Sequence, residues 1–187
     1  MGLDDARVHD LVDILLTCQW PDGGWNCDKN PQAHTSSFIE SIYPLRGLIA
    51  YQKKFNDPKV AGRIEKGLEF FLKRKLLRRL RDNAIIHPHF MDLTYPHYHI
   101  YDLLIGLKVM DAGGKINDPR CQEALDGLEN KYISGQGWRI EQKYEQYGPS
   151  RHRYSLVRWN EEKSGRANDF LSAQVLILLK HAGRMMD

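Results

Sequence analysis

Metal-binding and proton-transferring residue types are grouped in a few stretches of this 187-residue sequence. Cysteine and histidine are ligand types that zinc accepts. Their spacing here matches no known zinc motif, so the sequence predicts no cofactor and leaves zinc as a weaker alternative. The candidate ligands are Cys27, His34, His87 and His89.

Two aspartates are the candidate catalytic acids. Asp102 is predicted one turn into a helix, where its carboxyl group would face an enclosed cavity. Asp28 is the second candidate, although it would also suit the cap of a turn at residues 29–31. Acid-base catalysis needs a perturbed pKa, which the sequence does not reveal.

Aromatic and basic residues in the long connections form a predicted ligand-binding face. Disordered loops are depleted in aromatic residues, so these connections are expected to be ordered. Such a face would suit an apolar or cationic ligand, and its arginines would suit a diphosphate or a carboxylate. For Trp25 a structural role, stacking on a helix end, is the favoured alternative. The predicted ligand-binding residues are Trp20, Trp25, Tyr95, His97, Tyr98, His99, Tyr101, Arg151 and Arg153.

Helices must position these residues, because apolar residues recur every three to four positions and no segment alternates like a strand. The predicted fold class is therefore all-α, in a single domain over residues 1–187. Ser36 or Ser37 is expected to cap the second helix, and Asp57-Pro58 to start the third. The predicted helices span about residues 3–18, 36–54, 58–80, 97–111, 118–133 and 167–182.

The sequence contains an internal repeat. Asn56-Asp57-Pro58 recurs as Asn117-Asp118-Pro119, and Gly67-Leu68-Glu69 recurs as Gly127-Leu128-Glu129, at offsets of 61 and 60. A period near 60 that covers two helices predicts a repeated helical hairpin. Short connections within hairpins and long ones between them would place all the long loops at one end of the molecule.

The net charge of +3 comes from one segment, residues 73–81, which holds six of the basic residues. On a helix this run would be amphipathic, with a face that could contact anionic lipid or pyrophosphate. The alternative is a solvated outer helix. Because the rest of the chain is slightly acidic, nucleic acid is not favoured, whereas peripheral membrane contact stays open.

The predicted location is the cytoplasm. No apolar run is long enough to span a bilayer, and the first residues do not form a signal peptide. Three cysteines without a CxxC pair do not form a disulfide framework.

The segment from Gln19 to Trp25 resembles the QW motif, Q-x3-G-x-W, of squalene and oxidosqualene cyclases. Residues 132–138 resemble a shortened copy of it. With the helical-hairpin period, these motifs make nearly the whole chain similar to the α/α-toroid superfamily of terpenoid cyclases and protein prenyltransferases. The first loop and residues 93–107 most resemble uncharacterised prokaryotic proteins of this kind.

The resemblance implies a toroid-like arc of three hairpins. The second, fourth and sixth helices would line the inside, and the first, third and fifth would lie outside. Because three hairpins make about half of such a ring, the resemblance implies a homo-oligomer or a missing chain segment that completes it.

The functional expectation is binding or transformation of an apolar, isoprenoid-like ligand in a cavity between the inner helices. The cyclase motif D-x-D-D is absent from the sequence, and Thr35 and Ser37 occupy the positions of the prenyltransferase zinc ligands. The sequence therefore does not decide whether the protein is an enzyme. The alternative is a non-enzymatic module that binds a protein or membrane partner through the long loops and the basic segment.

Overall fold

The computed structural model describes residues 5–141 and 165–184, and within these ranges it is helical and contains no strand. This confirms the predicted all-α class. Short 3-10 helices occur at Pro88–Phe90 and Pro119–Cys121. The α-helices of the described ranges are α1 (Ala6–Thr17), α2 (Phe38–Phe55), α3 (Pro58–Leu72), α4 (Leu103–Ala112), α5 (Gln122–Glu129) and α6 (Asp169–His181).

Local capping explains where most of these helices begin. The side chains of Ser37, Asp57, Asp102 and Asn168 each accept a hydrogen bond from a backbone N–H in the first turn of the helix that follows. Such caps satisfy backbone donors that have no partner within the helix. The predicted caps Ser37 and Asp57 are confirmed.

The fourth helix is at the centre of the core. Helix α2 packs against α3 and α4, and α4 packs against α5 and α6. From Leu103 to Leu107 every residue of α4 is buried, as are Val109 and Met110. Helix α4 therefore packs against three other helices, α2, α5 and α6, and the toroid arrangement stays a prediction.

The basic segment, residues 73–81, does not continue the third helix, so the predicted helix over 58–80 is wrong from residue 73 onward. Helix α3 ends at Leu72, and Lys75 and Leu76 follow with φ of 45° and 64°. This left-handed backbone reverses the chain and places Leu76 and Leu77 in the core. An amphipathic basic helix is consequently not formed.

The other helix boundaries also differ from the expected ones. Helix α4 begins at Leu103 rather than near residue 97, because Asp102 is the cap and not a residue of its first turn. The predicted helix over 118–133 is a 3-10 turn followed by the eight residues of α5. In the described parts of the chain, no helix combines the length and hydrophobicity needed to cross a membrane.

Candidate functional site

The first glycine-tryptophan turn (residues 19–25) fastens the end of α1 to the start of α2. The Trp25 indole Nε1 donates to the Leu15 carbonyl at 2.9 Å, and the Trp25 backbone N–H donates to Ser41 Oγ at 2.8 Å. Trp25 is only 5% exposed. The structure thus places Trp25 in the core, between two helices.

The second glycine-tryptophan turn (residues 132–138) repeats this arrangement between α5 and α6. The Trp138 indole donates to the Leu128 carbonyl at 2.6 Å, and its backbone N–H donates to Ser172 Oγ at 2.8 Å. Gly137 adopts φ of 113°, and a Cβ there would collide with the Ser172 hydroxyl. In both turns the tryptophan reaches a carbonyl ten residues before it, which extends the internal repeat to individual hydrogen bonds.

The glutamine of the first turn makes a further connection. Gln19 Nε2 donates to the Gly23 carbonyl at 2.8 Å and to the Arg63 carbonyl of α3 at 2.9 Å. Gly23, with φ of 99°, lies so close to the Lys66 backbone that no Cβ fits. The motif residues therefore join α1, α2 and α3.

Asp102 is completely buried, and its carboxylate has three hydrogen-bonding partners. Its carboxylate accepts from the Ile105 N–H at 2.9 Å and from the Thr94 N–H at 2.7 Å. His97 Nε2 lies 2.9 Å from both of its oxygens, and the His97 side chain is 5% exposed. The structure thus brings two predicted site residues together as a buried pair that anchors the start of α4.

Tyr101 belongs to a buried aromatic cluster. Its hydroxyl donates to the Leu76 carbonyl at 2.8 Å, and burial raises the pKa of this phenol well above its ordinary value. Its ring centroid lies 4.9 Å from that of Phe38 and 4.7 Å from that of Phe90. Phe70 and Phe71 complete the cluster around Phe38.

The remaining predicted site residues do not converge on one place. Tyr95 is half-buried and stacks on Phe170 of α6, whereas Tyr98 and His99 are exposed. Trp20 is half-buried, and exposed Asp28 accepts from the Asn30 N–H at 2.9 Å, as a turn cap does. Arg151 and Arg153 lie outside the described residues.

The candidate metal ligands are separated into exposed loops. The Cys27 thiol lies beside Glu40, whose hydrogen bond and charge raise the pKa of the thiol. His87 and His89 have ring centroids 5.2 Å apart, and His89 Nδ1 lies 2.7 Å from an Asp92 oxygen. His34 bonds to the Gln32 carbonyl. Over residues 5–141 and 165–184, no three histidine, cysteine or acidic side chains form a potential metal site.

A cleft of about 540 Å³ opens where α2 begins and faces the basic segment. One part of its lining is polar and basic, with hydroxyl side chains and three arginines. The other part is apolar, and Phe38 and Phe90 connect it to the aromatic cluster below. The lining residues are Thr35, Ser36, Ser37, Phe38, Ile39, Arg74, Arg79, Leu80, Arg81, Ile86 and Phe90.

Arg74 forms the inner part of the cleft and is firmly held. Its guanidinium lies over the Phe70 ring, 4.1 Å from the centroid, and Nη1 donates to the Phe70 carbonyl at 2.9 Å. Asp22 lies 3.7 Å away and also accepts from the Ser36 N–H. Burial lowers the pKa of Arg74, but an arginine stays charged near neutral pH.

Arg79 and Arg81 form the outer, more exposed part of the cleft. Both guanidinium groups lie 3.2 Å from Asp82, one from each of its oxygens. Asp82 also accepts from the Ala84 N–H, and this bond together with the two arginines lowers its pKa. Two cations thus share one carboxylate, so positive charge remains at the mouth of the cleft.

A second, smaller cavity of about 180 Å³ lies between α4 and α6. Its lining is mixed, and burial lowers the pKa of Lys108, whose ammonium group donates to Gln174. It is a third of the volume of the cleft. The lining residues are Lys108, Asp111, Gln174, Ile177 and Leu178.

Sequence reasoning found the basic segment but not the cleft. The sequence does show the cluster of arginines at residues 73–81, which would suit a pyrophosphate. The hydroxyl and apolar residues at 35–39 gave no signal, because they reach the arginines only through the chain reversal after α3.

Comparison of the chain with family models, curated proteins and solved structures gave no match. The similarity to terpenoid cyclases and prenyltransferases accordingly stays a prediction that rests on the sequence motifs. The cleft and the buried connections are the features from which a function can be argued.

Proposed function

We propose that this protein binds an amphiphile with an anionic head group and an apolar, isoprenoid-like chain in the cleft at the start of α2. The observation that carries the proposal is the double character of the cleft lining, with three arginines beside five apolar residues. An apolar, isoprenoid-like ligand is also what the sequence led us to expect. We assign it to this cleft because the cleft has three times the volume of the cavity between α4 and α6.

The basic part of the cleft suits a phosphate or diphosphate. Guanidinium groups form paired hydrogen bonds with phosphate oxygens, and Arg79 and Arg81 are accessible at the mouth. Asp82 already accepts a hydrogen bond from Arg81 and is ion-paired with Arg79. An anion would therefore compete with Asp82, and the strength of binding should depend on this carboxylate.

The apolar part of the cleft suits a hydrocarbon chain. Leu80 and Ile39 both line the cleft and are 60% and 45% exposed, so they leave apolar surface open to water there. A hydrocarbon chain in this position would remove both from water. Binding of the apolar part would then be driven by the hydrophobic effect.

Calorimetric titration with farnesyl diphosphate, farnesol and inorganic pyrophosphate tests the proposal. The diphosphate ester should bind at least about tenfold more tightly than either half, because only it occupies both parts of the cleft. Anionic phospholipid vesicles form a further arm, which separates a soluble ligand from a lipid head group at a membrane surface. Equal affinity for farnesol and farnesyl diphosphate would contradict the role of the arginines.

Variants at the mouth sharpen this test. Arg81→Gln should weaken binding about tenfold, since it removes a charged donor to the phosphate. Asp82→Asn should strengthen binding, because the competing charge is lost while the oxygen that caps the turn at Ala84 is retained. Lys73→Gln is the matched control, as Lys73 is exposed in the same segment but does not line the cleft.

The non-enzymatic interaction module remains the second candidate function. The observation that favours it is the exposure of large apolar side chains on α1 and α6, away from the cleft. These faces are independent of the proposed ligand.

A further inference from the structure

The cavity between α4 and α6 is lined by equivalent positions of these two helices. Lys108 and Gln174 are each the sixth residue after the cap of their helix. Asp111 and Ile177 are each the ninth, and Leu178 completes the lining. The volume of about 180 Å³ is below the range of sites for drug-sized ligands, which is roughly 300 to 1,000 Å³. A ligand of this cavity is therefore a small molecule.

Lys108 supplies a nucleophilic amine to this lining. Its side chain is half-buried, and its nitrogen donates to the amide oxygen of Gln174, which is a neutral partner. Within residues 5–141 and 165–184, Lys108 forms no ion pair with a carboxylate. Burial with only a neutral acceptor disfavours the charged ammonium form relative to the free amine.

Arg46 adds a second positive charge near this amine. It is exposed on α2, which packs against α4, and it is the ninth residue after the cap Ser37. It therefore occupies the position of α2 that corresponds to Asp111 in α4. Burial lowers the pKa of Lys108 and the charge of Arg46 lowers it further, while Asp102 offsets part of this change. Burial and a neighbouring cation both make a lysine amine more available as a nucleophile.

An acid-base pair lies at the edge of the same cavity. His181 Nδ1, at the end of α6, lies 2.8 Å from Asp111 Oδ2. Asp111 lines the cavity and His181 is exposed, so this pair connects the cavity with solvent. A carboxylate and an imidazole in this arrangement can take up and return the protons that an amine addition requires.

We propose that Lys108 forms an imine with a small 2-oxo acid in the cavity between α4 and α6. The amine nitrogen attacks the ketone carbon, so that a C–N bond forms and the ketone oxygen takes up a proton. The resulting carbinolamine loses water, whose two hydrogens come in net from the amine, and a C=N bond remains. The step needs no oxidant and no reductant.

The groups around the amine favour an oxo acid over a simple ketone. In the part of the chain that the structure describes, Arg46 has no carboxylate partner, and the acid would supply one. The short apolar part of the acid would contact Ile177 and Leu178. The site shares no lining residue with the cleft at the start of α2, so it is independent of the amphiphile proposed there.

Reductive trapping tests the proposal. The 187-residue chain is incubated with pyruvate and sodium cyanoborohydride near neutral pH, and the modified lysines are located by peptide mass spectrometry. Lys180 is the internal reference, because it is exposed on α6 and does not line the cavity. Lys108 should be modified at least about tenfold faster than Lys180, because more of it is the free amine. An equal or slower rate at Lys108 would overturn the proposal.

Lys108→Arg separates the nucleophile from the structural hydrogen bond. Arginine keeps a positive charge and a donor for Gln174, but it forms no imine with a ketone under these conditions. The adduct measured on the intact chain should fall to the level of the surface lysines, with an unchanged midpoint of urea unfolding. Undiminished adduct formation would overturn the proposal. Pyruvate binding to the unaltered chain without any adduct at Lys108 would indicate an anion site only and would overturn it as well.

Arg46→Gln tests the choice of an oxo acid. Trapping of both pyruvate and acetone should become slower, because the charge that favours the free amine is lost. The effect should be greater for pyruvate, because only pyruvate offers a carboxylate to Arg46. Lys53→Gln is the matched control, since Lys53 is an exposed cation on the same helix and does not line the cavity. Equal slowing with both ketones would contradict the oxo acid as the ligand.

Discussion

The two glycine-tryptophan turns and the middle connection (residues 73–102) are each held in place by buried hydrogen bonds, but different residues make these bonds. In the turns, a tryptophan indole donates to a carbonyl near the end of one helix, and a serine hydroxyl in the next helix accepts from the tryptophan backbone. In the middle connection, the Tyr101 hydroxyl donates to the Leu76 carbonyl, and Asp102 accepts from the Thr94 backbone.

One substitution in the repeat accompanies this difference. Ser41 and Ser172 are each the fourth residue after a helix cap, and the corresponding residue of α4 is Gly106. A Cβ at Gly106 would collide with the Tyr101 hydroxyl. A glycine at this position therefore gives the tyrosine the space that the serine side chain occupies elsewhere.

An equivalent structural role therefore does not require the recognisable motif. The turns at the two ends are compact and carry the motif residues. The middle connection lacks these motif residues, and the arginines of the cleft lie in it. The candidate site therefore occurs where the repeat departs from its own pattern.

Asp102→Ala should lower the free energy of unfolding more than the other variants. It would show whether the middle connection contributes more to stability than either glycine-tryptophan turn. The change removes a helix cap and leaves the Thr94 N–H and His97 without their acceptor in a buried place. We expect the free energy of unfolding to fall by about 3 to 5 kcal/mol. Urea denaturation measures it.

Asp28→Ala is the control for that measurement, because Asp28 caps only an exposed turn. It should change the free energy of unfolding by no more than about 0.5 kcal/mol. A loss of less than about 1 kcal/mol in Asp102→Ala would contradict the anchoring role of Asp102.

Trp25→Phe and Trp138→Phe should have the next largest effects and test the equivalence of the two turns. Each removes the indole donor from a helix carbonyl and leaves a cavity in the core. We expect a loss of about 2 to 3 kcal/mol in each variant. Guanidinium unfolding followed by far-UV circular dichroism gives both values, and costs that differ more than twofold would break the equivalence.

Tyr101→Phe should cost less, about 1 to 2 kcal/mol, because it removes a donor without a large change in volume. Thermal unfolding monitored by circular dichroism detects such a loss as a lower midpoint. If Tyr101→Phe lowered the free energy of unfolding as much as the tryptophan variants do, the stability of the middle connection would depend on this hydroxyl alone. Phe90→Leu, in the same aromatic cluster, separates loss of the hydrogen bond from loss of packing.

Asp118→Ala should have the smallest effect at neutral pH, about 1 kcal/mol, since it removes a cap and an ion pair near the surface. The Arg120 side chain is the main cause that lowers the pKa of Asp118 from 3.8 to about 2. The lowered pKa means that the folded state binds fewer protons, so this stabilisation is present above pH 4 and is lost as the pH falls towards 2.

The measurement for Asp118 is the free energy of unfolding of both chains between pH 7 and pH 2. The difference between them should shrink over the acid range. Asp57→Ala is the control, because Asp57 caps α3 in the same way without an arginine on its carboxylate. A difference that is constant with pH would contradict the role of Arg120.

Capping made several helix starts predictable, whereas helix ends depended on tertiary packing. Ser37 and Asp57 act through backbone groups two or three residues away, so a short sequence window contains the whole signal. The end of α3 depends on burial of Leu76 and Leu77 in a left-handed turn. That burial is decided by distant residues, and the helical pattern of the basic segment gave no warning of it.

The candidate site was predictable only in part for the same reason. The arginines form a visible run in the sequence, but the cleft also needs residues 35–39, which lie more than 30 positions away. Asp102, His97 and Tyr101 were all predicted site residues, but the structure buries Tyr101 and Asp102 completely and leaves the His97 side chain almost no exposure. Chemically capable residue types do not reveal whether they face solvent.

The central position of α4 has a consequence for the order in which the chain loses structure. Backbone amides in α4 should exchange with deuterium most slowly, because exposing them requires its neighbours to separate. In α1 only Val12 is fully buried, so its amides should exchange through a local opening that leaves the other helices intact. In the monomer, protection of the backbone amides from exchange should therefore be highest in α4 and lowest in α1.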